Sequence, residues 1–172
     1  MDENTLTKEI LKKRTRQLAG SKQIADVDHE EGLELVVFAL GKESYGLEAR
    51  QLKSIRPVSN YIPLPGVAPF IEGITNLSGV LYSIINLKRF LGLEETEAPA
   101  NPKLLIIDHN TLKICFIVDQ ILAFKSVAET SLDSDITGIK SMEAGLIKGI
   151  TKDALIVLNL EKVLNKIKKE SK

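Results

Sequence analysis

The fold is decided by residues 70–91, FIEGITNLSGVLYSIINLKRFL, where a polar turn framed by glycines is followed by a long apolar run. The run GVLYSIINL predicts a buried strand, and Asn86 is placed to cap a short helix, LKRFL, that stops at Gly92. The turn GITNLSG lacks the lysine of a phosphate-binding loop and the glycine spacing of a dinucleotide fingerprint. The stretch therefore predicts a structural or docking element without a catalytic motif.

The same pattern returns in the second half of the chain, as an internal repeat. Residues 70–75, FIEGIT, are matched by residues 146–151, LIKGIT, and residues 84–91, IINLKRFL, are matched by residues 157–164, VLNLEKVL. Each half also opens with a strand, a turn and a strand, from LELVVFAL to LKSI in the first and from KLLIID to DQI in the second. Five short strands cannot cover both faces of an open sheet, so each all-β half is predicted to close into a small barrel.

The two halves occupy residues 33–165, at about 33–93 and 103–165, and the polar linker EETEAPANP separates them. In the first half, YIPLPGVAPF is predicted to be a loop or an edge strand, because its prolines cannot donate to a strand ladder. Residues 1–32 comprise a predicted amphipathic helix, TLTKEILKKRTRQLA, and a polar linker. That helix either docks on the main body, frays, or is offered to a partner. Residues 166–172 are predicted to be a solvated basic tail.

The composition is that of a folded chain without long-range attraction to charged polymers. Of 172 residues, 44% are hydrophobic, and 23 basic residues balance 23 acidic ones. This balance argues against binding to nucleic acid or to an anionic membrane. No apolar run reaches the roughly 18 residues that a membrane-spanning helix needs, and MDENTLTKEI lacks the order of a secretion signal. We therefore expect a cytoplasmic protein with no direct membrane insertion.

Residue types that catalyse reactions or hold metals are scattered along the sequence. His29 lies in a polar linker and His109 in a predicted hairpin turn, without the spacing of metal ligands. Asp108 fits the same turn and Asp119 a strand end, so an acid–base pair has no support. Cys115, the only cysteine, lies in the apolar run LKICFIV and is expected to be a buried structural thiol. We expect no enzymatic activity, no metal and no cofactor.

In their order and spacing, these motifs resemble the CheW family of chemotaxis coupling proteins over roughly residues 33–165. The resemblance is carried by Tyr45-Gly46, Ile55-Arg56, Pro69-Phe70-Ile71-Glu72-Gly73, Asn76-Leu77 with Gly79, Val118-Asp119 and Asn159-Leu160-Glu161. It implies two intertwined five-stranded SH3-like barrels and a role without catalysis. It also implies a cytoplasmic adaptor of two-component signalling at membrane-associated receptor arrays. Such an adaptor joins the cytoplasmic tips of methyl-accepting chemoreceptors to the regulatory domain of the histidine kinase CheA.

The resemblance further implies a docking surface at the junction of the two barrels. The candidates for contact with the receptor or the kinase, or for immediate support of that contact, are Leu52, Ile55, Arg56, Ile74, Asn76, Leu77, Ser78 and Ile85. The apolar members of this set can equally be core residues.

The sequence departs from the family pattern at three positions. Ser78 stands where the family usually has arginine, which removes a charge suited to an acidic receptor helix, and Ser83 and Asn86 replace a common proline and aspartate. The chain is therefore interpreted as a divergent coupler for an unusual receptor. The main alternative is a kinase-binding scaffold of a non-chemotactic CheA pathway, such as surface motility, that lacks standard receptor binding. A more remote one is a small-ligand-binding β-barrel protein, although the sequence offers no convergent polar groups for a pocket.

Overall fold

The structure is a computed structural model that describes residues 32–137 and 144–171. The helix predicted for residues 5–19 and His29 lie outside the described residues. The strands of the described residues are β1 (Gly32–Leu40), β2 (Glu43–Glu48), β3 (Ser54–Pro57), β4 (Ile71–Leu77), β5 (Val80–Asn86), β6 (Lys103–His109), β7 (Leu112–Val118), β8 (Gln120–Ala128), β9 (Ile147–Ile150) and β10 (Ile156–Leu158). The α-helices are α1 (Leu87–Phe90) and α2 (Leu160–Glu170).

The strands form two five-stranded sheets, in agreement with the all-β, SH3-like architecture that was predicted. Sheet A has the order β8-β1-β2-β10-β9, and sheet B has the order β3-β6-β7-β5-β4. Each sheet contains strands from both halves of the sequence. In sheet A, β1 and β2 of the first half lie between β8 and β10 of the second, and in sheet B, β6 and β7 of the second half lie between β3 and β5 of the first. The division at about 33–93 and 103–165 therefore describes the sequence repeat and does not coincide with the two sheets.

Turns with positive backbone φ close the hairpins where the sequence predicted them. Gly41, between β1 and β2, has a φ of 62°, and Asn110, in the β6–β7 turn beside His109, has a φ of 54°. Between β4 and β5, Ser78 and Gly79 have φ values of 54° and 85°. Two consecutive positive φ values are typical of the type I′ turn, whose twist matches that of the flanking strands. This tight turn fixes the register of β4 against β5.

The repeat seen in the sequence is also present in the backbone contacts. In the first copy, Ile62 forms an isolated bridge with Ile74, and in the second copy Asp133 forms one with Ile150. The glycine before each bridge partner leaves room for the crossing segment. A Cβ atom on Gly73 would lie 2.1 Å from the Ile62 carbonyl oxygen, and one on Gly149 would lie 2.7 Å from the Leu132 Cβ. The GIT motif therefore marks a place where two backbone segments cross.

Each of the two α-helices begins at an asparagine. Asn86 caps α1, as the sequence predicted, and Asn159 holds the matching position in the second copy of the repeat and caps α2. The Asn86 side chain accepts a hydrogen bond from the Arg89 backbone N–H, and the Asn159 side chain accepts one from the Lys162 N–H, each at 3.2 Å. The backbone N–H of each asparagine also donates to the first residue of the repeat, Asn86 to Phe70 at 2.7 Å and Asn159 to Leu146 at 2.8 Å. Each asparagine thus ties a helix start to the residue just before the opposite strand of its hairpin, β4 or β9.

One boundary was wrong: residues 166–170 belong to α2 and do not form a free basic tail. Ile167 is 3% exposed and lies on the same face of the helix as Leu160, Val163 and Leu164. The spacing i, i+3, i+4, i+7 is the apolar stripe of an amphipathic helix, and the lysines between these positions occupy its polar side. Burial of Ile167 therefore carries the helix past the point at which the basic residues begin.

The largest part of the core lies between the two sheets. It includes Phe38 and Tyr45 of sheet A and Ile85, Leu105 and Phe116 of sheet B. A smaller cluster fills the interior of each barrel. Cys115 is fully buried in the cluster of sheet B, and burial raises the pKa of its thiol to about 12. This thiol is a packing residue, as predicted.

The segment over residues 58–70 forms a loop that touches sheet B at the Ile62 bridge. This agrees with the prediction of a loop or an edge strand from its prolines. The segment holds two exposed apolar side chains, Ile62 at 66% and Val67 at 39%.

Candidate functional site

An open groove lies where the β4–β5 hairpin, the β6–β7 turn and the last turn of α2 meet. We call it the hairpin groove. Its volume is about 480 Å³. It is lined by Ile71, Leu81, Ser83, Ile85, Thr111, Leu112, Lys113, Ile114, Ile167, Lys168 and Ser171. Six of these eleven side chains are aliphatic, so the groove is an apolar surface that opens to solvent.

The alternation of side chains along β5 sets the character of the groove. Leu81, Ser83 and Ile85 line it, whereas Tyr82 and Ile84 point to the other face and are buried in the barrel of sheet B. Successive side chains of a strand point to opposite faces, so this pattern follows from the sequence VLYSIIN. Leu81 is 60% exposed, while Ile85 is 1% exposed and forms the floor. The groove thus has a buried floor and an exposed apolar edge.

Three of the predicted site residues lie on this face of sheet B. Ile74 pairs with Ser83 and Asn76 pairs with Leu81 across the β4–β5 hairpin, so both point to the side of Leu81 and Ser83. Asn76 is exposed and Ile74 is partly buried. The Asn76 side chain accepts a hydrogen bond from the Gly79 N–H at 2.8 Å, which braces the type I′ turn.

The structure places the other predicted residues elsewhere. Leu77 packs against the barrel cluster of sheet B, on the opposite face from Asn76. Leu52 and Ile55 are partly buried against the core between the sheets, and Arg56 is exposed on the edge strand β3. Ser78 is exposed at the tip of the hairpin. The candidates therefore spread over the groove face, the opposite face of sheet B, the hairpin tip and the region of β3.

Sequence reasoning missed several residues that line the groove. Strand alternation puts Leu81 on the opposite face from Tyr82 and Ile84, but it does not tell which of the two faces is exposed. Ile167 was within reach, from its spacing to Val163 and Leu164. Lys113 and Lys168 carried no usable signal, since their positions depend on where the β6–β7 turn and the end of α2 lie in space.

A second exposed apolar surface lies on β8, the edge strand of sheet A. Phe124 is 70% exposed and Leu122 is 45% exposed. Phe124 lies opposite Val36 of β1, and its neighbour Lys125 forms an ion pair with Asp153. An edge strand offers unpaired backbone groups, so exposed apolar side chains on it form a surface on which another chain can dock. We call this surface the β8 edge.

An ion pair holds the β1–β2 turn against α1. Lys88 Nζ lies 2.8 Å from Asp119 Oδ2, and the side chains of both residues are less than a fifth exposed. The same carboxylate accepts a hydrogen bond from the Gly41 N–H at 2.8 Å. Asp119 therefore has a structural role at the junction of the two sheets.

Asp108 lies at the other end of the β6–β7 hairpin from Asp119 and pairs with Lys113 and Lys53. The ion pair with Lys113, together with Lys53, holds the pKa of Asp108 below its ordinary value. The two aspartates are not brought together.

Within residues 32–137 and 144–171, no group of three or more metal-ligating side chains lies together. In the same ranges, no helix is long and apolar enough to cross a membrane.

Comparison with known proteins assigns the fold to a family. The profile of the CheW-like domain matches residues 34–168. The chemotaxis protein CheW of Bacillus subtilis is 30% identical over 129 residues, which cover 75% of this chain and 83% of that protein. The chemotaxis protein CheW of Helicobacter pylori is 26% identical over 162 residues, which cover 92% of this chain and 96% of that protein.

A solved structure gives the same result. The crystal structure of the scaffolding protein TtCheW from Thermoanaerobacter tengcongensis superposes with a TM-score of 0.69 at 25% identity. The match covers 78% of this chain and 90% of that one. Members of this family are non-catalytic scaffold adaptors of chemotaxis, and this protein is likewise not an enzyme. From the fold, the profile and the relatives together, the chain belongs to the CheW family, as a divergent member.

Proposed function

We propose that this protein couples the cytoplasmic tips of chemoreceptors to the regulatory domain of a CheA-type histidine kinase, in the cytoplasm at receptor arrays. The observation that carries the proposal is the presence of two separate exposed apolar surfaces, the hairpin groove on sheet B and the β8 edge on sheet A. A coupler must hold two partners at once, so it needs two surfaces that do not compete. Exposed apolar surfaces on soluble domains commonly mark sites of protein association.

The two surfaces differ in the kind of partner they suit. The hairpin groove is concave and its strand β5 is paired on both sides, so a partner must bind it with side chains. Chemoreceptor tips, as helical hairpins, present side-chain ridges of that kind. The β8 edge exposes one long strand and suits a partner that is itself a β-domain. Because the regulatory domain of CheA is expected to share this fold, we assign the kinase to the β8 edge and the receptor to the hairpin groove.

Pull-down with two baits from the same organism tests the assignment. The baits are the CheA regulatory domain and a receptor cytoplasmic tip, each alone and then together. Leu81→Ser is expected to lose the receptor and keep the kinase, whereas Phe124→Ser is expected to lose the kinase and keep the receptor. Val80→Ser is the matched control for Leu81, because Val80 is 37% exposed, adjoins Leu81 on β5 and does not line the groove.

Each outcome decides one part of the proposal. Survival of the three-part complex establishes coupling. If either substitution abolishes binding of both the receptor and the kinase, the two partners share a single surface. That result would contradict the assignment. Binding to neither bait would remove the coupling function.

The second candidate function is a kinase-binding scaffold of a non-chemotactic CheA pathway without standard receptor binding. Ser78 favours it, because the exposed tip of the β4–β5 hairpin lacks the arginine that the family usually carries there. Ser78→Arg tests this candidate. If the variant gains binding to a receptor tip that the wild type ignores, Ser78 is the determinant of the difference. If Ser78→Arg does not bind the receptor tip either, the missing arginine is not the cause of the absent receptor binding.

A further inference from the structure

The chain passes between the two sheets at two places in the part that the structure describes. The strands β1 and β2 belong to sheet A, β3 to β7 belong to sheet B, and β8 to β10 belong to sheet A again. The first crossing takes residues 49–53, between β2 and β3. The second takes a single residue, Asp119, between Val118 at the end of β7 and Gln120 at the start of β8. A change in the angle between the sheets would therefore bend the chain at these two crossings.

An ion pair ties the one-residue crossing to both sheets. Lys88 of α1 lies two residues after Asn86, the last residue of β5 in sheet B, and its Nζ is 2.8 Å from Asp119 Oδ2. The same oxygen accepts a hydrogen bond at 2.8 Å from the N–H of Gly41, in the turn between β1 and β2 of sheet A. The Asp119 N–H donates to the carbonyl of Ala39, on β1, at 3.1 Å. We call Lys88 and Asp119 the crossing pair.

The crossing pair lies between the two docking surfaces along the chain. Ile85, which forms the floor of the hairpin groove, comes three residues before Lys88. Asp119 directly precedes β8, whose side chains Leu122 and Phe124 form the β8 edge. A partner in the groove contacts the strand that leads into α1, and a partner on the edge contacts the strand that starts after Asp119. Each partner therefore acts on one end of the same ion pair.

Burial makes this ion pair insensitive to solvent and costly to break. The Lys88 side chain is 11% exposed and the Asp119 side chain is 17% exposed. Lys88 Nζ also donates to the hydroxyl of Thr96, in the linker, at 3.1 Å. Loss of one partner would leave the other charge mostly buried without its counter-ion. The closed pair therefore holds the second crossing in one geometry.

We propose that the crossing pair couples the two docking surfaces, so that a partner bound to one sheet strengthens binding of the other partner to the other sheet. Both partners bind the arrangement in which the pair is closed, and either one stabilises that arrangement for the other. Lys88 and Asp119 are positioning residues, because neither lines the hairpin groove nor belongs to β8. The inference rests on the proposed function, which supplies the two partners.

The test measures a coupling factor with the full-length protein. The affinity for the CheA regulatory domain is titrated alone and in the presence of a saturating receptor tip fragment, and the ratio of the two affinities is the coupling factor. We expect a factor of about five to twenty for wild type and a factor close to one for Lys88→Met and for Asp119→Asn. The affinity of each variant for either partner alone should stay within about threefold of wild type. Asp119→Asn keeps an oxygen that can accept from Gly41, so its fold should be retained.

Three further variants show whether the pair itself is responsible. Lys88→Arg keeps the positive charge and should keep the coupling. Arg89→Met is the matched control, because it removes the neighbouring cation of α1, whose partners are Glu72 and Glu95. It should leave the coupling factor unchanged. The double variant Lys88→Met/Asp119→Asn should lose no more coupling than either single variant, because the two residues act as one unit.

Hydrogen exchange of the Gly41 amide gives a second readout, which a purely structural role of the pair would not move. This amide lies in sheet A, whereas the receptor fragment is assigned to sheet B. We expect its exchange to slow by about threefold or more when the fragment binds wild type, and to stay unchanged in Lys88→Met. The measurement on wild type needs no variant, so unchanged exchange there would overturn the inference even if the variants failed to fold.

The remaining outcomes separate this inference from the proposed function. If the two partners bind wild type independently, the inference is overturned while the proposed function stands. The same holds if the coupling factor is equal in wild type and in the crossing-pair variants, because the coupling would then come from direct contact between the partners. If folded variants lose binding to both partners, the pair has a structural role only and the inference falls. If wild type fails to bind one of the partners, the proposed coupling and this inference both fall.

Discussion

Among the glycines of residues 32–137 and 144–171, Gly73 is the one with the least room for a side chain. The backbone of Gly73 lies close to the carbonyl group of Ile62. Two backbone hydrogen bonds between Ile62 and Ile74, at 2.8 and 2.9 Å, hold the loop that contains Ile62 against β4. A Cβ atom 2.1 Å from that oxygen, and 3.0 Å from the Pro63 Cα, must displace backbone. The contact therefore ties the proline-containing loop to the groove hairpin.

Gly73→Ala is expected to lower the free energy of unfolding by about 2–3 kcal/mol, in the upper part of the range of about 1–3 kcal/mol that is usual for overpacking, because the neighbouring atoms belong to the backbone. Urea denaturation measures the effect. Gly145→Ala is the control, because a Cβ atom there has no neighbour within 4 Å, and its stability should change by less than about 0.5 kcal/mol. Equal effects of the two substitutions would show that the Ile62 contact is not what makes Gly73 necessary.

Among the residues that the structure describes, Glu48 is the one buried carboxylate. It is 6% exposed and pairs with Lys148 at 3.1 Å and Arg50 at 2.6 Å. Burial opposes ionisation, but the hydrogen bonds and charges of Lys148 and Arg50 together outweigh it, and the pKa of Glu48 is lowered. A lowered pKa means that the folded state binds the proton more weakly than the unfolded state does. The stability from this group is therefore present above the ordinary glutamate pKa and is lost as the pH falls through the lowered value.

Glu48→Gln is expected to destabilise the protein by about 1–2 kcal/mol at pH 7, because Lys148 and Arg50 lose a charged partner. The difference between the variant and the wild type should shrink as the pH falls from the ordinary glutamate pKa through the lowered pKa of Glu48, below which the wild-type carboxyl is neutral as well. Urea midpoints at several pH values measure this. Glu34→Gln, at an exposed carboxylate of β1, is the control and should change the stability little. A difference for Glu48→Gln that does not vary with pH would rule out the ionic explanation.

At the level of the secondary-structure elements, the two asparagine caps show how one motif is used twice. Asn159 makes the cap of α2 and a backbone bond to Leu146. Asn86 makes the same pair of contacts for α1, and its side-chain amide also donates to Glu72 at 2.8 Å. Asn86 therefore makes one hydrogen bond that Asn159 does not.

Asn159→Ala is expected to lower stability by about 1 kcal/mol, because it leaves a first-turn N–H without its partner. Asn86→Ala should cost more, since it also removes the hydrogen bond to Glu72. Asn159→Asp keeps the acceptor and places a negative charge at the helix start, so it should stay within about 0.5 kcal/mol of wild type. Thermal and urea unfolding of the three variants check the order. A larger loss for Asn159→Ala than for Asn86→Ala would contradict the account of the extra bond.

Local patterns predicted the elements well where one residue type decides the geometry. The Asn86 cap, the glycine and asparagine turns and the proline-containing loop were all predicted from such residues. The end of α2 was missed because the four lysines of residues 165–172 were interpreted as a basic tail. The spacing of Ile167 from the other residues of the apolar stripe was therefore not used. In the groove, Leu81 was missed because an apolar residue in a buried strand was assumed to be buried. Exposure depends on which face another element covers, and a single strand does not carry that information.

In the molecule as a whole, the pairing of strands across the linker is what the sequence repeat could not predict. Four strand pairings stay within one half of the chain, namely β1–β2, β4–β5, β6–β7 and β9–β10. Four others join the two halves, namely β1–β8, β2–β10, β3–β6 and β5–β7. A repeat by itself suggests two independent barrels. That the two halves exchange strands was expected only from the family resemblance, which implies intertwined barrels. The core between the sheets draws on both halves of the chain, so no single segment contains it.

This exchange predicts that neither half of the chain folds alone. The linker at residues 94–98 is exposed, so a break between residues 97 and 98 removes covalent continuity and no core contact. Fragments 1–97 and 98–172, produced separately, should each lack a cooperative unfolding transition, because each loses the partner strands of both sheets. Produced together, they should associate one to one and recover the β-sheet circular dichroism of the intact protein. At micromolar concentration the complex should be about 4 kcal/mol less stable than the intact chain, since the linker supplies an effective concentration on the order of millimolar. A cooperative transition in either fragment alone would show that one barrel is complete without strands from the other half.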